Sequence, residues 1–475
     1  MYVKRAGFRM VAAAAYVMAG TAASADSLEM ALVQAYQNNP QVNAQRALVR
    51  ATDENVPQAL AGYRPRISGT YNYGVAWTDT VNEIQVPVRN QAGLTIGGVG
   101  QRGRDVSRFY PAAYGGTVSQ TIFNGFQTGN RTRQAEAQVF SARETLRVIE
   151  QTVLLDAATA YMNVLRDSAI YDLQKRNVEV LQEQLRQTRD RFNVGEVTRT
   201  DVAQAESRVA AGQSQMLTAQ ANLTTSRAIY RRVIGLDPGK LIAGSPVDRF
   251  SPRSLDLAVA QGQAESPSVN AAEYGVDVAQ LQVKVNEGSL YPTVTVTGSA
   301  QQQYHPNDST LRNMNASVVG QLTVPIYQGG SEYALIRQAK ETVGQRRLEL
   351  AINRDQARAN VVQAWGQLDA AKAQIDATKS QVTAAEIALN GVREEARVGQ
   401  RTTLDVLNAQ QELVNARVAL VTAQRDRVVA SYALLAACGR LSIPVLGLQV
   451  PLYDPMIHYQ QVRDSWIGIR TPDGR

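Results

Sequence analysis

The side chains most often used for catalysis and metal binding are few in this sequence and far apart. The 475 residues include two histidines and one cysteine. His305 and His458 lie in different regions, and neither has a second ligand at the spacing of a metal site, so we interpret both as background polar positions. Cys438 has no partner for an internal disulfide and is predicted to be a small buried residue of the last helix. The sequence therefore predicts no enzymatic activity and no cofactor.

A short polar motif occurs twice, between long helical patterns. Each copy has a Val-Gly pair, a few polar residues and then Asp-Val, at 194–202 and at 398–406. Glycine can end a helix in the left-handed conformation, and Thr or Asp can cap the helix that follows. We therefore predict that 192–201 and 396–405 are the tips of two helical hairpins.

The two motifs belong to a tandem duplication. An offset of 204 residues aligns the tips, and it also places Thr121–Gly125 on Pro325–Gly329. Nearer the N-terminus the offset is 227, so the first copy has an insertion of 227 − 204 = 23 residues. The insertion is predicted in Thr78–Pro111, where Gly97–Gly100 is interpreted as a flexible loop because it does not open a helix after a strand. The predicted divisions are a first repeat 26–235, a linker 236–253, a second repeat 254–440 and a C-terminal periplasmic tail 441–475.

The N-terminus and the charge pattern indicate an exported protein. Residues 1–25 have a basic start, an apolar stretch and a small-residue cleavage site, which are typical of a secretory signal peptide. The formal net charge is +7, but charges alternate in sign without a basic block, so we predict no nucleic-acid binding. No stretch after residue 25 is apolar enough for a membrane helix, and a membrane-spanning segment would have to be a strand.

Two predicted strand hairpins, at 66–123 and 293–327, have the pattern of such strands. Apolar and small polar residues alternate over runs of about 10 to 12 residues, which is the length of a tilted membrane strand. A soluble two-faced sheet would show the same alternation. Four strands cannot close a barrel, which needs about eight or more, and open sheet edges cannot face lipid. If these strands lie in a membrane, the chain must form an oligomer.

The remaining sequence predicts very long helices. Two proline-free segments of about 66 residues, each about 100 Å long as a helix, follow the strand hairpins, and the first has a coiled-coil stripe. Shorter helices precede the strands and follow the tips. The expected fold is mainly α with a small β part, in which long antiparallel coiled-coil helices adjoin the strands. The predicted helical segments are Pro40–Tyr63, Phe126–Arg191, Thr198–Ile234, Pro267–Leu290, Gly329–Glu395 and Thr402–Ala437.

Taken together, the signal peptide, the duplication, the order of helices and strands and both tip motifs closely resemble the TolC family of outer-membrane channels. The likeness covers residues 26 to about 440, and the second tip, 397–410, is its most specific part. The resemblance implies a homotrimer with a twelve-stranded transmembrane β-barrel above a periplasmic α-barrel. It also implies an exit duct for tripartite multidrug efflux or type I protein secretion, in contact with outer-membrane lipid. The implied partner is an inner-membrane adaptor with its ABC or proton-driven transporter.

The resemblance further implies a gate at the periplasmic end. By position, the gate residues are Thr200 and Asp201 in the first tip and Arg401, Asp405 and Asn408 in the second. In the closed state Arg401 is expected to pair with Thr200 or Asp201 of the neighbouring hairpin, while Asp405 forms an acidic ring.

Two residues depart from the family pattern. Ala396 replaces the usual tyrosine, and Asn408 replaces a second acidic residue.

The exposed tips are the expected docking points for the adaptor. These are Val194 and Gly195 in the first hairpin and Val398 and Gly399 in the second. The alternative interpretation is that the chain is itself a periplasmic coiled-coil adaptor. Such a protein would usually have one hairpin and a globular β domain, whereas this sequence has two hairpins and four membrane-length strands.

Overall fold

A computed structural model describes residues 27–472 and 474 of the chain. The predicted signal peptide, 1–25, lies outside the described residues. The described chain divides into two compact units. The first contains 27–43, 150–262 and 360–451, and the second contains 44–149, 263–359 and the residues described from 452 onwards.

Helices account for most of the described chain, and two of them are far longer than the rest. These two, α4 and α8, have 67 residues each and begin 331 − 127 = 204 residues apart. The helices are α1 (Leu28–Asn38), α2 (Pro40–Asp53), α3 (Asn55–Leu60), α4 (Gln127–Asn193), α5 (Arg199–Ile234), α6 (Leu255–Glu265), α7 (Pro267–Glu287), α8 (Ser331–Arg397), α9 (Thr403–Ala437), α10 (Ile443–Leu446) and α11 (Pro455–Val462). Among the residues that the structure describes, no helix is both long and apolar enough to cross a membrane.

The core of the first unit is built by the apolar stripes of the long helices. The side chains of Ala258 in α6, Leu434 in α9 and Cys438 just beyond α9 are fully buried in one cluster with residues of α8. The prediction that Cys438 is buried is confirmed. In this unit the predicted stripe of α4 is buried at Val153, Ala157, Ala160, Val164, Val178 and Leu181. Residues three and four positions apart lie on the same side of a helix, so successive members of the stripe can be buried together.

The second unit contains the four predicted strands in one antiparallel sheet of order β1-β4-β5-β6. Side chains alternate across it, and the large apolar residues of β1 and β4, such as Ile67, Tyr71 and Val118, share one exposed face. β5 has 12 residues, within the predicted length of about 10 to 12, and its backbone pairing with β6 continues through three glutamines to Tyr304. The strands are β1 (Arg66–Tyr73), β2 (Ala76–Arg89), β3 (Thr95–Phe109), β4 (Ala112–Asn124), β5 (Thr293–Tyr304) and β6 (Arg312–Thr323).

The insertion differs from its predicted form. Instead of a flexible loop, Gly97–Gly100 lies within β3, which pairs with β2 in a second, two-stranded sheet. Glycine has no side chain to pack, so a run of glycines in a sequence does not indicate a strand. Glycine nevertheless pairs through its backbone like any other residue. Here Gly98 and Gly100 lie beside the side chains of Gln85 and Glu83, where a Cβ would crowd them.

The C-terminal tail packs on helices of the second unit through α11. His458 of α11 is buried, and its Nδ1 lies 3.0 Å from Oδ2 of Asp53 at the end of α2. The guanidinium of Arg143 in α4 lies 3.8 Å from the other carboxylate oxygen. Burial raises the pKa of Asp53 above its usual value, against the lowering effect of His458 and Arg143. The interpretation of His458 as a background polar position was therefore wrong, because a residue 405 positions away supplies its partner.

Candidate gating site

Both hairpin tips have the same backbone geometry. The φ angles of Gly195 and Gly399 are +82° and +81°, in the left-handed region predicted for them. In each tip the residue after this glycine donates its backbone N–H to the carbonyl five residues earlier, at 2.9 Å. This bond closes the last helical turn and reverses the chain. The valines before the glycines, Val194 and Val398, are 71% and 70% exposed. Each tip therefore presents an apolar side chain to solvent.

A capping box begins the return helix of each hairpin. Thr198 caps α5 and Thr402 caps α9, and each hydroxyl accepts a hydrogen bond from the backbone N–H three residues later. In return, the carboxylates of Asp201 and Asp405 accept hydrogen bonds from the threonine N–H groups, at 2.9 and 3.0 Å. The reciprocal bonds satisfy backbone donors that a helix start leaves unpaired. The same Asp side chains that are predicted for the gate thus also hold the tips in shape.

These hydrogen bonds favour the ionised form of both carboxylates. The hydroxyl and then the backbone N–H of Thr198 lower the pKa of Asp201 below its usual value. For Asp405, the backbone N–H of Thr402 is the larger cause and its hydroxyl the smaller one. Donors that stabilise the charged form of an acid lower its pKa. Each tip therefore carries a fixed negative charge at the first turn of its return helix, where the helix dipole also favours it.

Arg401 has a local partner within the chain. Its Nε lies 2.8 Å from a carboxylate oxygen of Glu395, on the other side of the second tip. This ion pair raises the pKa of Arg401 further above its usual range, with a smaller contribution from Asp405. Thr200 is exposed on the first turn of α5. Within one chain the structure thus brings Arg401 to Glu395 and to neither Thr200 nor Asp201, and the expected contact between hairpins stays a prediction for an assembly.

Asn408 joins the two hairpins. Its side-chain oxygen accepts a hydrogen bond of 2.7 Å from the guanidinium of Arg208 in α5. Next to this bond, Leu407 of α9 packs against Leu181 and Val209 of the first hairpin. Arg208 was not predicted as a site residue, although it lies seven residues, or two helical turns, beyond Asp201 and so on the same side of α5.

Ala396 occupies an apolar site beneath the second tip. It packs against the buried cluster of Leu389, Val406 and Leu413, which holds α8 to α9. Ala396 therefore contributes to the packing of the hairpin. It cannot make the polar contact that the hydroxyl of the usual tyrosine could make at this position.

Known proteins resemble this chain in sequence and in fold. A family model described as "Outer membrane efflux protein" matches residues 31–236 and 258–440. The outer membrane efflux protein BepC of Brucella suis biovar 1 (strain 1330) is 42% identical over 460 residues, which are 97% of this chain and 95% of BepC. The outer membrane protein TolC of Escherichia coli (strain K12) is 27% identical over 391 residues, 77% of each chain. The CmeC outer membrane channel of Campylobacter jejuni has the same fold, with a TM-score of 0.74 at 15% identity, over 92% of this chain and 89% of CmeC.

The fold and the tips define an outer-membrane channel protein with a long helical extension into the periplasm. The chain belongs to the outer membrane efflux protein family. The predicted resemblance, fold class and location are thereby confirmed. The family is one of transport channels and not of enzymes, and the alternative of a periplasmic adaptor is not favoured.

Proposed function

We propose that three copies of this chain form one outer-membrane channel, which serves as the exit duct of a tripartite transport system. The observation that carries the proposal is the sheet, which has an exposed apolar face and ends at β1 and β6. Backbone groups at a sheet edge cannot be left unpaired in lipid, and four strands are too few to close a barrel. Three sheets joined from β6 to β1 give twelve strands in a closed ring with the apolar face towards lipid.

The duct itself performs no chemical step in this proposal. The face of the sheet opposite the apolar one carries small and polar side chains, such as Ser68, Thr70 and Thr117, which suit a water-filled passage. Energy for transport comes from an inner-membrane ABC or proton-driven transporter, which is connected through an adaptor. The name of BepC favours efflux as the transport class, and type I protein secretion is the second candidate that the TolC resemblance implies.

The gate in this proposal consists of Thr200, Asp201, Arg401, Asp405 and Asn408. The fixed charge of the two aspartates supports an acidic constriction that favours cations. The exposure of Arg401 leaves its guanidinium free to exchange its partner within the tip for one on a neighbouring hairpin. We expect Arg401→Ser to raise single-channel conductance, and an unchanged conductance would remove Arg401 from the gate.

The adaptor docks at the tips in this proposal. The support is the exposed apolar pair Val194 and Val398, each next to a left-handed glycine at the turn of a hairpin. Cysteine at either valine should cross-link to an inner-membrane adaptor in cells, whereas cysteine at Ile67 in β1 should not. Cross-links from Ile67 alone would place docking at the opposite end.

The assembly is tested by fractionating membranes and measuring the mass of the purified protein. The expected result is a trimer in the outer-membrane fraction that dissociates on heating in detergent and conducts ions in a planar bilayer. A monomer that conducts ions, or a protein recovered only from the soluble periplasm, would refute the proposal.

A further inference from the structure

The strands β2 and β3 continue the hairpin of β1 and β4 without a change of register. Paired residue numbers add up to 185 at Arg66 and Ser119, and the sum is the same at Ala76 and Phe109. The sum remains 185 as far as the pair of Val88 with Gly97. A hydrogen bond of 3.1 Å from the N–H of Gly74 to the carbonyl of Pro111 bridges the junction. The two hairpins therefore form one continuous ribbon, and side chains keep their alternation from the membrane sheet into the projecting part.

The projecting part of the ribbon, β2 with β3, has two different faces. One face continues the polar face of β1, which carries Ser68 and Thr70, and we call it the inner face. The other continues the apolar, lipid-facing side of β1, and we call it the outer face. The charged residues on the outer face are Asp79, Glu83, Arg102, Arg104 and Arg108, and they alternate there with the exposed apolar residues Trp77, Val81 and Val106. The inner face carries one charged residue in the regularly paired part of the ribbon, Asp105.

Further from the sheet, the inner face becomes apolar. Ile84, Val86 and Val88 of β2 lie on it, and Val99 of β3 is the direct partner of Val86. These four side chains are 40% to 60% exposed in the single chain. We call them the apolar patch. An isolated two-stranded hairpin is at best marginally stable in water, so burying the apolar patch against a partner would stabilise the ribbon.

The position of the patch shows what can cover it. The lipids of the outer leaflet cannot cover the patch, because the patch lies on the opposite face from the one that continues the lipid-facing surface. That outer face carries the charged side chains, including Arg104, whose Nε donates a hydrogen bond of 2.9 Å to Asp79. Twelve strands about 4.8 Å apart and tilted by about 40° enclose a barrel of radius about 12 Å. The 14 residues of β2 extend for about 45 Å. Each ribbon is therefore long enough to reach the axis above the barrel, with its inner face towards the axis.

We propose that the three ribbons of a trimer pack together through Ile84, Val86, Val88 and Val99 and form an apolar constriction outside the membrane, above the channel exit. The occupant of each patch is thus the same patch on the other copies, and the proposal rests on the trimer proposed above. The right-handed twist of two-stranded ribbons makes the three ribbons wind around the axis. An apolar ring excludes water when it is narrow, so this cap would close the exit until cargo separates the ribbons.

Disulfide cross-linking of single-cysteine variants in the purified protein tests the proposal. In a Cys438→Ala background, Val86→Cys is expected to give covalent dimers on mild oxidation. The matched control is Gln85→Cys, which lies next to it in the chain but on the outer face, and it should give no dimers. Absence of dimers from Val86→Cys, or equal dimer formation by both variants, would overturn the proposal.

A second pair of variants separates packing from chance collision of mobile ribbons. Val88→Cys should also form dimers, and adding Val86→Asp should abolish them because three carboxylates would meet at the axis. Adding Gln85→Asp should leave them unchanged. The mass of the unoxidised protein distinguishes the two proposals. A trimer without cross-links refutes the cap alone, whereas a monomer refutes both the trimer and the cap that depends on it.

Discussion

Replacing Arg208 by alanine removes the hydrogen bond that connects the two hairpins near their tips. Its guanidinium reaches from α5 to the side-chain oxygen of Asn408 in α9, over 2.7 Å. If the channel opens by moving one hairpin away from the other, this bond must break. We therefore expect Arg208→Ala to favour the open state, while the buried packing of Leu181, Val209 and Leu407 keeps the hairpins folded.

The size of the effect follows from the exposure of the bond. A hydrogen bond to a charged group contributes about 1.5 to 3 kcal/mol where water is excluded, and this solvent-accessible one is expected to contribute about 1 kcal/mol. Three equivalent bonds in a trimer then contribute about 3 kcal/mol if the hairpins move together. Free energies of about 1 to 3 kcal/mol correspond to shifts of about 5-fold to 150-fold in the closed–open equilibrium.

Single-channel recording in planar bilayers measures this shift as open probability and mean conductance. The matched control is Arg189→Ala, which removes a similar bond of 2.6 Å, to Glu206, that stays within the first hairpin. We expect it to leave the open probability unchanged. If Arg208→Ala behaves like the wild type, or if both variants open the channel equally, the bond between Arg208 and Asn408 does not hold the channel closed.

Three further predictions concern the tips, the tail and the junction of sheet and helix. Because the pKa of Asp405 is lowered in the folded tip, its bond to Thr402 stabilises the tip above the usual pKa of an aspartate, and this stabilisation is lost as the pH falls through the lower folded value. Asp405→Asn should therefore loosen the tip at pH 7, seen as faster amide exchange, and its difference from the wild type should shrink as the pH falls through that value. His458→Ala leaves the buried Asp53 carboxylate without its hydrogen-bond partner and should destabilise the attachment of the tail by about 1 to 3 kcal/mol, measured as faster trypsin cleavage in the tail. Gly125→Ala should lower the melting temperature and the yield of folded protein, because Gly125 has a φ of +66° and an added methyl group would collide with a backbone carbonyl.

Equal exchange rates at pH 7 in Asp405→Asn and the wild type would show that the carboxylate does not hold the tip. His305→Ala, at an exposed position, should leave trypsin cleavage of the tail unchanged, and equal cleavage in both histidine variants would count against the tail contact. Gly74→Ala meets no atom within 4 Å and has an ordinary φ, so it should fold normally. A fully folded Gly125→Ala would mean that the junction can rearrange.

The sequence alone determined the elements whose cause is local. The long helices were predicted as 126–191 and 329–395 and are observed as Gln127–Asn193 and Ser331–Arg397. Both segments are free of proline, which would interrupt a helix, and the heptad stripe of the first segment identifies a helix whichever helix packs against it. The left-handed glycines of both tips were also predictable, because a helix end needs that conformation and glycine adopts it at little cost.

The tertiary structure decided which distant side chains meet. Asn408 binds Arg208 across 200 residues, and His458 binds Asp53 across 405 residues. Periodicity places a residue on a face of its helix but does not say which residue of another helix lies opposite, since that depends on the register and packing of both. The ribbon of β2 and β3 is a similar case, because its glycines are weak strand formers and the pairing partner supplies the hydrogen bonds that make them a strand.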